Sequence, residues 1–172
     1  VGVVAGAGNE TTTRLIGWAG KVLADHPDQR KELVEDPSLI NGAIEELLRF
    51  ESPAPHVARY VTEDISYRGT TVPAGSAMLL MVSAANRDER RFDDPDRFDI
   101  HRKIDPTVTF GHGAHYCLGA ALARIEGRVA LAARWSRLRC ELHALVEAAQ
   151  AALVRKLASV SYKHHRPHDT VR

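Results

Sequence analysis

The chain has 172 residues, with 23 Lys+Arg against 22 Asp+Glu and nine His, a net charge of +1. That length predicts one domain, and the balanced charge argues against a nucleic-acid binder or an acidic solvating tail. Hydrophobic residues at 44% and charged residues at 26% exclude disorder throughout, and no apolar run approaches the ~18 residues of a membrane span. Aromatics are only 6%, so the core must rest on Leu, Val, Ile and Ala.

The first residue is Val1, and residues 1–7 lack a basic n-region and a small-residue cleavage site, so no signal peptide is expected. The expectation is instead that Val1 lies inside a helix whose start is missing. That helix should run to about Asp25 and end before Pro27. Gly6, Gly8 and the threonines at 11–13 are poor helix formers and predict a purposeful distortion. Pro27 suits the first position of a short helix through Val34. Asp36, Pro37 and Ser38 start another, with Ser38 as N-cap and Leu39, Ala43, Leu47 and Phe50 on its apolar face. Pro53 and Pro55 stop it.

Residues 56–82 read as short strands punctuated by Gly69 and the turn at 73–75. Met78 and Met81 are read as core packing. Residues 86–109 form an ordered meander, in which the mixed-sign run at 87–91 is read as a solvated face. A glycine-bracketed loop surrounds Cys117, and a helix follows over about 118–135. Leu138, Leu142, Leu145, Ala149, Leu153 and Leu157 predict a last amphipathic helix before a frayed tail at 162–172. The predicted fold class is mainly α with small β elements. Cys117 and Cys140 lie in unlike surroundings, which fits a reducing, cytoplasmic setting better than a disulfide scaffold.

The chemistry concentrates in residues 110–124, FGHGAHYCLGAALAR. Gly111 and Gly113 permit a tight loop with positive φ. Cys117 arrives just before a helix start, where free N–H groups and the positive dipole end favour a thiolate. Gly119 has no side chain, so a flat group could lie close over the first turn. A thiolate fixed by backbone donors beneath a planar group is what haem-thiolate ligation requires.

This stretch resembles the cysteine-ligand loop of the cytochrome P450 family, in the soluble bacterial style. Glu46-Leu-Leu-Arg49 resembles the family's E-x-x-R, and Pro95-Asp-Arg97-Phe98 resembles its P-E/D-R-F. Ala7-Gly8-Asn9-Glu10-Thr11 resembles its oxygen-side helix motif. The resemblance covers roughly residues 1–134 and implies a partial haem-thiolate fold around haem b.

The resemblance implies roles residue by residue. Cys117 corresponds to the axial metal ligand, within a loop shared with Phe110, Gly111, Gly113 and Gly119. Glu10 and Thr11 correspond to an acid–alcohol pair that delivers protons during oxygen activation; the bland alternative is a hydroxyl bonding back to its own helix. Arg59 and His115 correspond to cations that pair with haem propionates. Glu46, Arg49 and Arg97 correspond to a buried network that holds the cysteine loop. A rival reading takes His101, His112, His115 and Cys117 as zinc ligands, but it gives the glycines no role.

The implied activity, for an intact parent, is insertion of one oxygen atom of O2 into a small organic substrate. Electrons would come from a separate ferredoxin or flavoprotein, since no nucleotide-binding pattern stands in the chain. His112, Arg124 and Arg128 form the expected basic docking patch for that donor. No nucleic acid and no membrane partner is expected. The family's amino-terminal half is expected to be missing, leaving an apolar surface exposed. Residues 135–172 form an atypical helical, basic, His-rich tail of the kind a shifted reading frame produces. The alternative reading is a non-catalytic helical fragment that binds haem weakly or not at all.

Overall fold

Helix α1 (Gly2–Asp25) carries buried Leu15, Ala19, Val22 and Leu23 on one stripe, the spacing that turns a helix face inward. The computed structural model describes residues 2–104 and 107–133, with side chains from residue 6 onward. The described residues fall within one unit, Val1–Ala132, save Ala133. The predicted last helix, the tail, Cys140 and Ile104's two successors lie outside them. The expected distortion of α1 is absent: helical structure runs unbroken through Gly6, Gly8 and the threonines.

Helix α2 (Pro27–Glu35) opens on its proline and buries Leu33. A 3-10 turn (Pro37–Leu39) then leads into α3 (Ile40–Phe50). The cap of that turn is Asp36, not the expected Ser38: its carboxylate accepts from the Ser38 N–H at 3.0 Å. An Asp side chain reaches back over its own turn in this way, and Pro37 needs no such partner. Helix α3 buries Ile40, Ala43, Ile44, Leu47 and Leu48, and with them Glu46 and Arg49.

Four strands follow: β1 (Val57–Tyr60), β2 (Ile65–Tyr67), β3 (Thr70–Val72) and β4 (Ala77–Leu80). They form two antiparallel pairs, β1 with β4 in the register Val57 to Leu80, and β2 with β3 in the register Ile65 to Val72. A one-turn helix α4 (Val82–Ala85), which the strand reading of this stretch missed, follows β4 directly. Met81 is 55% exposed and so is not core, contrary to expectation.

The meander is held by Phe92, Phe98 and Ile100, all buried. Phe98 packs its ring between His26 and Phe50, with centroids 5.1 and 5.5 Å away. Gln29 of α2 clamps the backbone beside it, donating to the Phe98 carbonyl and accepting from the Ile100 N–H, both at 2.9 Å. Arg87, expected in solvent, instead lies 4.3 Å over the Phe50 ring and donates to the Phe50 carbonyl. Helix α5 covers 120–133. A Cβ at Gly127 would meet Ile44 at 3.0 Å and Leu15 at 3.1 Å, so glycine lets α5 close on α3 and α1. No helix among the described residues is long and apolar enough to cross a membrane.

Candidate functional site

The loop before α5 is closed by its own backbone. The Cys117 N–H donates to the Phe110 carbonyl at 2.8 Å, and the Gly111 N–H to the Val108 carbonyl at 2.9 Å. Gly111 has φ +76°, and a side chain there would also press within 3.1 Å of the His115 carbonyl, so only glycine fits. Gly113, at φ +61°, opens the 3-10 turn Gly113–His115. Cys117 follows with its thiol exposed, and its carbonyl accepts from the Ala120 N–H at the start of α5. A Cβ at Gly119 would stand 4.0 Å from that sulfur.

The loop faces a cavity of about 240 Å³. Cys117, His115, Gly111 and Phe110 line it from the loop, Arg59 from β1 and Thr11 from α1. Leu15, Leu48, Val57 and Val82 supply apolar walls. Six of the site residues expected from sequence therefore meet around one space. Gly113 and Gly119 shape the loop without lining it. Arg59 donates to the Ala58 carbonyl at 2.9 Å and is otherwise placed to take a partner from the cavity.

Thr11 and Glu10 diverge. The Thr11 hydroxyl donates to the Ala7 carbonyl at 2.7 Å, the back-bond foreseen as its bland reading, yet the residue still lines the cavity. The Glu10 carboxylate pairs with Arg14 at 2.7 Å on an exposed face and is not part of the lining. The neighbouring Thr12, read in the sequence only as part of the threonine run, also lines the cavity and donates to Glu126 at 3.0 Å.

Helix α3, which gives the cavity Leu48, also carries the buried pair Glu46 and Arg49, both fully inaccessible. Arg49 donates to both Glu46 oxygens at 2.7 and 2.8 Å, and to the carbonyls of Asn86, Pro95 and Arg97. The third side chain of this network is that of Arg102, not Arg97. Arg102 reaches Glu46 at 3.2 Å with its side chain 10% exposed. The Arg97 side chain points outward to Asp99 and is 65% exposed; only its carbonyl joins the network. The meander turns between these residues, so the arginine of the P-D-R-F pattern faces water and the later one faces Glu46.

Of the expected docking patch, Arg124 is already engaged. It forms two contacts with Glu45, at 2.6 and 3.1 Å, and its guanidinium lies 4.5 Å over the Phe110 ring. The hydrogen bond to Glu45 raises its pKa above the ordinary arginine value. The Nε of Arg128 is buried without a hydrogen bond among the described residues. His101, a member of the zinc reading, pairs with Glu32 at 2.7 Å in a separate groove shared with Asp28, Asp94 and Asp99. Among the described residues no group of three His, Cys, Asp or Glu is arranged to hold a metal ion.

The donor set fits haem on chemical grounds. A single exposed thiol faces an apolar slot, which suits an iron ligand under a flat macrocycle. Two side chains able to carry positive charge, Arg59 and His115, stand on its wall, which suits the macrocycle's carboxylates. Asn86, Arg102 and Thr109 were not singled out in the sequence, because the partners that tie them to the site, Val108 for Asn86, Glu46 for Arg102 and Leu48 for Thr109, lie 22 to 61 residues away.

Comparison with known proteins agrees with this geometry. The family model "Cytochrome P450" matches residues 1–150. The chain is 55% identical over 126 residues to the vitamin D(3) 25-hydroxylase of Pseudonocardia autotrophica, covering 73% of this chain and 31% of that protein. It is 46% identical over 129 residues to the biotin biosynthesis cytochrome P450 of Bacillus subtilis, covering 75% and 33%. Among solved structures, the cytochrome P450 PksS of the Bacillus subtilis bacillaene polyketide synthase superposes with a TM-score of 0.76 at 38% identity, over 78% of this chain and 35% of that one. The chain thus spans about a third of the length of the curated relatives it matches. The cysteine loop, the buried Glu46–Arg49 pair and these matches agree: the chain belongs to the cytochrome P450 family.

Proposed function

We propose that these residues form the haem-ligating part of a haem-thiolate monooxygenase that acts in the cytoplasm on a small organic substrate. The observation that carries this reading is that Cys117, His115, Arg59 and Thr11, from three separate parts of the chain, line one cavity. Cys117 would hold haem b through its sulfur, while Arg59 and His115 would pair with its carboxylates. Bound there, the haem would supply O2 activation and transfer of one oxygen atom, since the cofactor carries the oxidation. Electrons would come from a ferredoxin or flavoprotein. Turnover is proposed for the whole protein that contains these residues.

The chain's own contribution is ligand, order and protons. The backbone bond from Cys117 to Phe110 fixes where the sulfur emerges. Thr11 gives its proton to the Ala7 carbonyl, which leaves its oxygen free to accept a hydrogen bond from the cavity side. Glu10 is tied to Arg14 at the surface, so a proton passing between Glu10 and Thr11 needs a water relay. Leu15, Val57 and Val82 supply apolar walls against which a flat macrocycle would pack.

The test is the spectrum of the reduced carbon-monoxide complex after haem is supplied. A Soret band at the red-shifted thiolate position is expected, and it should vanish in Cys117→Ala. A histidine-like band, or the same spectrum in Cys117→Ala, overturns the assignment.

A further inference from the structure

We propose that Asn86 is a positioning residue for this cavity, carrying the order of the Glu46–Arg49 pair into the wall that presents the cysteine loop. The inference rests on the haem reading above only for the identity of what the cavity holds. Asn86 ends helix α4, is 1% exposed and is not itself part of the cavity lining. Its backbone carbonyl accepts from Arg49 at 3.0 Å. Its side-chain oxygen accepts from the Val108 N–H at 3.0 Å, and its NH2 group donates to Ser52 Oγ at 2.9 Å and Thr109 Oγ1 at 2.7 Å.

The orientation of that amide follows from its partners. The Val108 N–H can only donate, so it must meet the amide oxygen. Both hydroxyls have committed their protons to one acceptor, the Leu48 carbonyl, Ser52 at 3.1 Å and Thr109 at 2.8 Å. Each is left to accept, and the NH2 group donates to both; Thr109 Oγ1 accepts as well from the Thr107 hydroxyl at 3.2 Å, longer than the 2.7 Å from Asn86. A carboxylate in the same space has no N–H to give, and an apolar side chain satisfies no member. Asn is the residue type of this size that completes the set.

Its partners lead directly to the site. Leu48, Val108, Thr109 and Phe110 all line the cavity. Phe110, next to Thr109, supplies the carbonyl that accepts the Cys117 N–H. Asn86 thus ties the charged network on one side to the strand of chain that aims Cys117 on the other. Loss of a buried polar partner in such a set costs enough to shift a local opening equilibrium about tenfold or more.

The experiment is amide hydrogen exchange on the full 172-residue chain, free and with haem supplied, for Asn86→Asp and Thr109→Val. In Asn86→Asp the Val108 and Cys117 amides should exchange about tenfold faster, while the α1 amides near Leu15 and Leu23 change little. Thr109→Val, a milder change, should show the same local pattern at smaller size; if Asn86→Asp does not fold, this variant decides. With haem, both variants should lose part of the thiolate-type carbon-monoxide band. Acceleration spread evenly over α1 and α3, or unchanged exchange at Val108 and Cys117, overturns the proposal. A wild-type chain that takes up no haem would sink the haem reading, and the exchange pattern would still decide the role of Asn86.

Discussion

Arg49 is buried with every one of its N–H donors directed at an acceptor: two at Glu46 and three at main-chain carbonyls of the meander. A guanidinium offers five donors in a fixed fork, so no other side chain can make the same set. The energetic consequence is asymmetric. Arg49→Ala would remove the better placed of the two arginines that neutralise buried Glu46 and leave Arg102 to balance it, a loss of about 3–5 kcal/mol. Arg102 shares Glu46 and also donates to the carbonyls of Asp93, Asp94 and Arg97, so Arg102→Ala should cost roughly 1–3 kcal/mol. Arg97 meets only Asp99 at the surface, and Arg97→Ala should stay within about 1 kcal/mol. Urea unfolding of the three variants checks this order. If Arg97→Ala were as damaging as Arg102→Ala, the side chain of Arg97 would belong to the network after all.

Helices α3 and α5 are joined across the cysteine loop by Glu45 and Arg124, each about a quarter exposed. The pairing gives Arg124 a different task from steering an electron donor: it braces Phe110 on one side and reaches the Tyr116 hydroxyl at 3.4 Å on the other. A double-mutant cycle of Glu45→Gln and Arg124→Gln should yield a coupling of about 0.5–1 kcal/mol, modest because both groups touch solvent. A raised arginine pKa adds stability below the ordinary arginine value and loses it only above, so this coupling should not fade through Arg124 at any pH near neutral. Additive single variants, with donor-driven reduction slowed and its salt dependence weakened, would return Arg124 to the docking patch.

This is also where sequence legibility divides. The apolar period of α3, the proline that separates α1 from α2 and the glycines around Cys117 act locally, and each is readable in order. Helix α4 is four residues long, too short for any period to show. Asn86 finds its partners 22 to 37 residues away and Arg102 meets Glu46 across 56, so nothing beside them in the sequence announces the role. Between Arg97 and Arg102 the pattern chose the wrong side chain, because the turn direction of an aperiodic segment is set by packing of Phe98 and the Gln29 clamp.

Across the whole described molecule, the cavity is where distant segments converge: α1, the end of α3, β1, α4, the stretch before Phe110 and the cysteine loop each give it a wall. Elsewhere large apolar side chains face outward, among them Leu79 at 57%, Leu118 at 97% and Leu122 at 58%. These residues contribute little to holding the segments together. A ligand that fills the cavity would therefore act as a shared partner for all of these segments, and anything that binds the folded state alone stabilises it by mass action. At a haem concentration of about 100 times the dissociation constant the gain is about 2.7 kcal/mol. For a chain of this size that corresponds to a rise in Tm of roughly 5–10 °C. Thermal unfolding with increasing haem should show this rise in the wild-type chain. Cys117→Ala loses the sulfur ligand and should need far more haem for the same rise, while leaving the haem-free Tm nearly unchanged because the thiol is exposed. Equal shifts in both proteins would mean that haem gains its hold on the chain somewhere other than at Cys117.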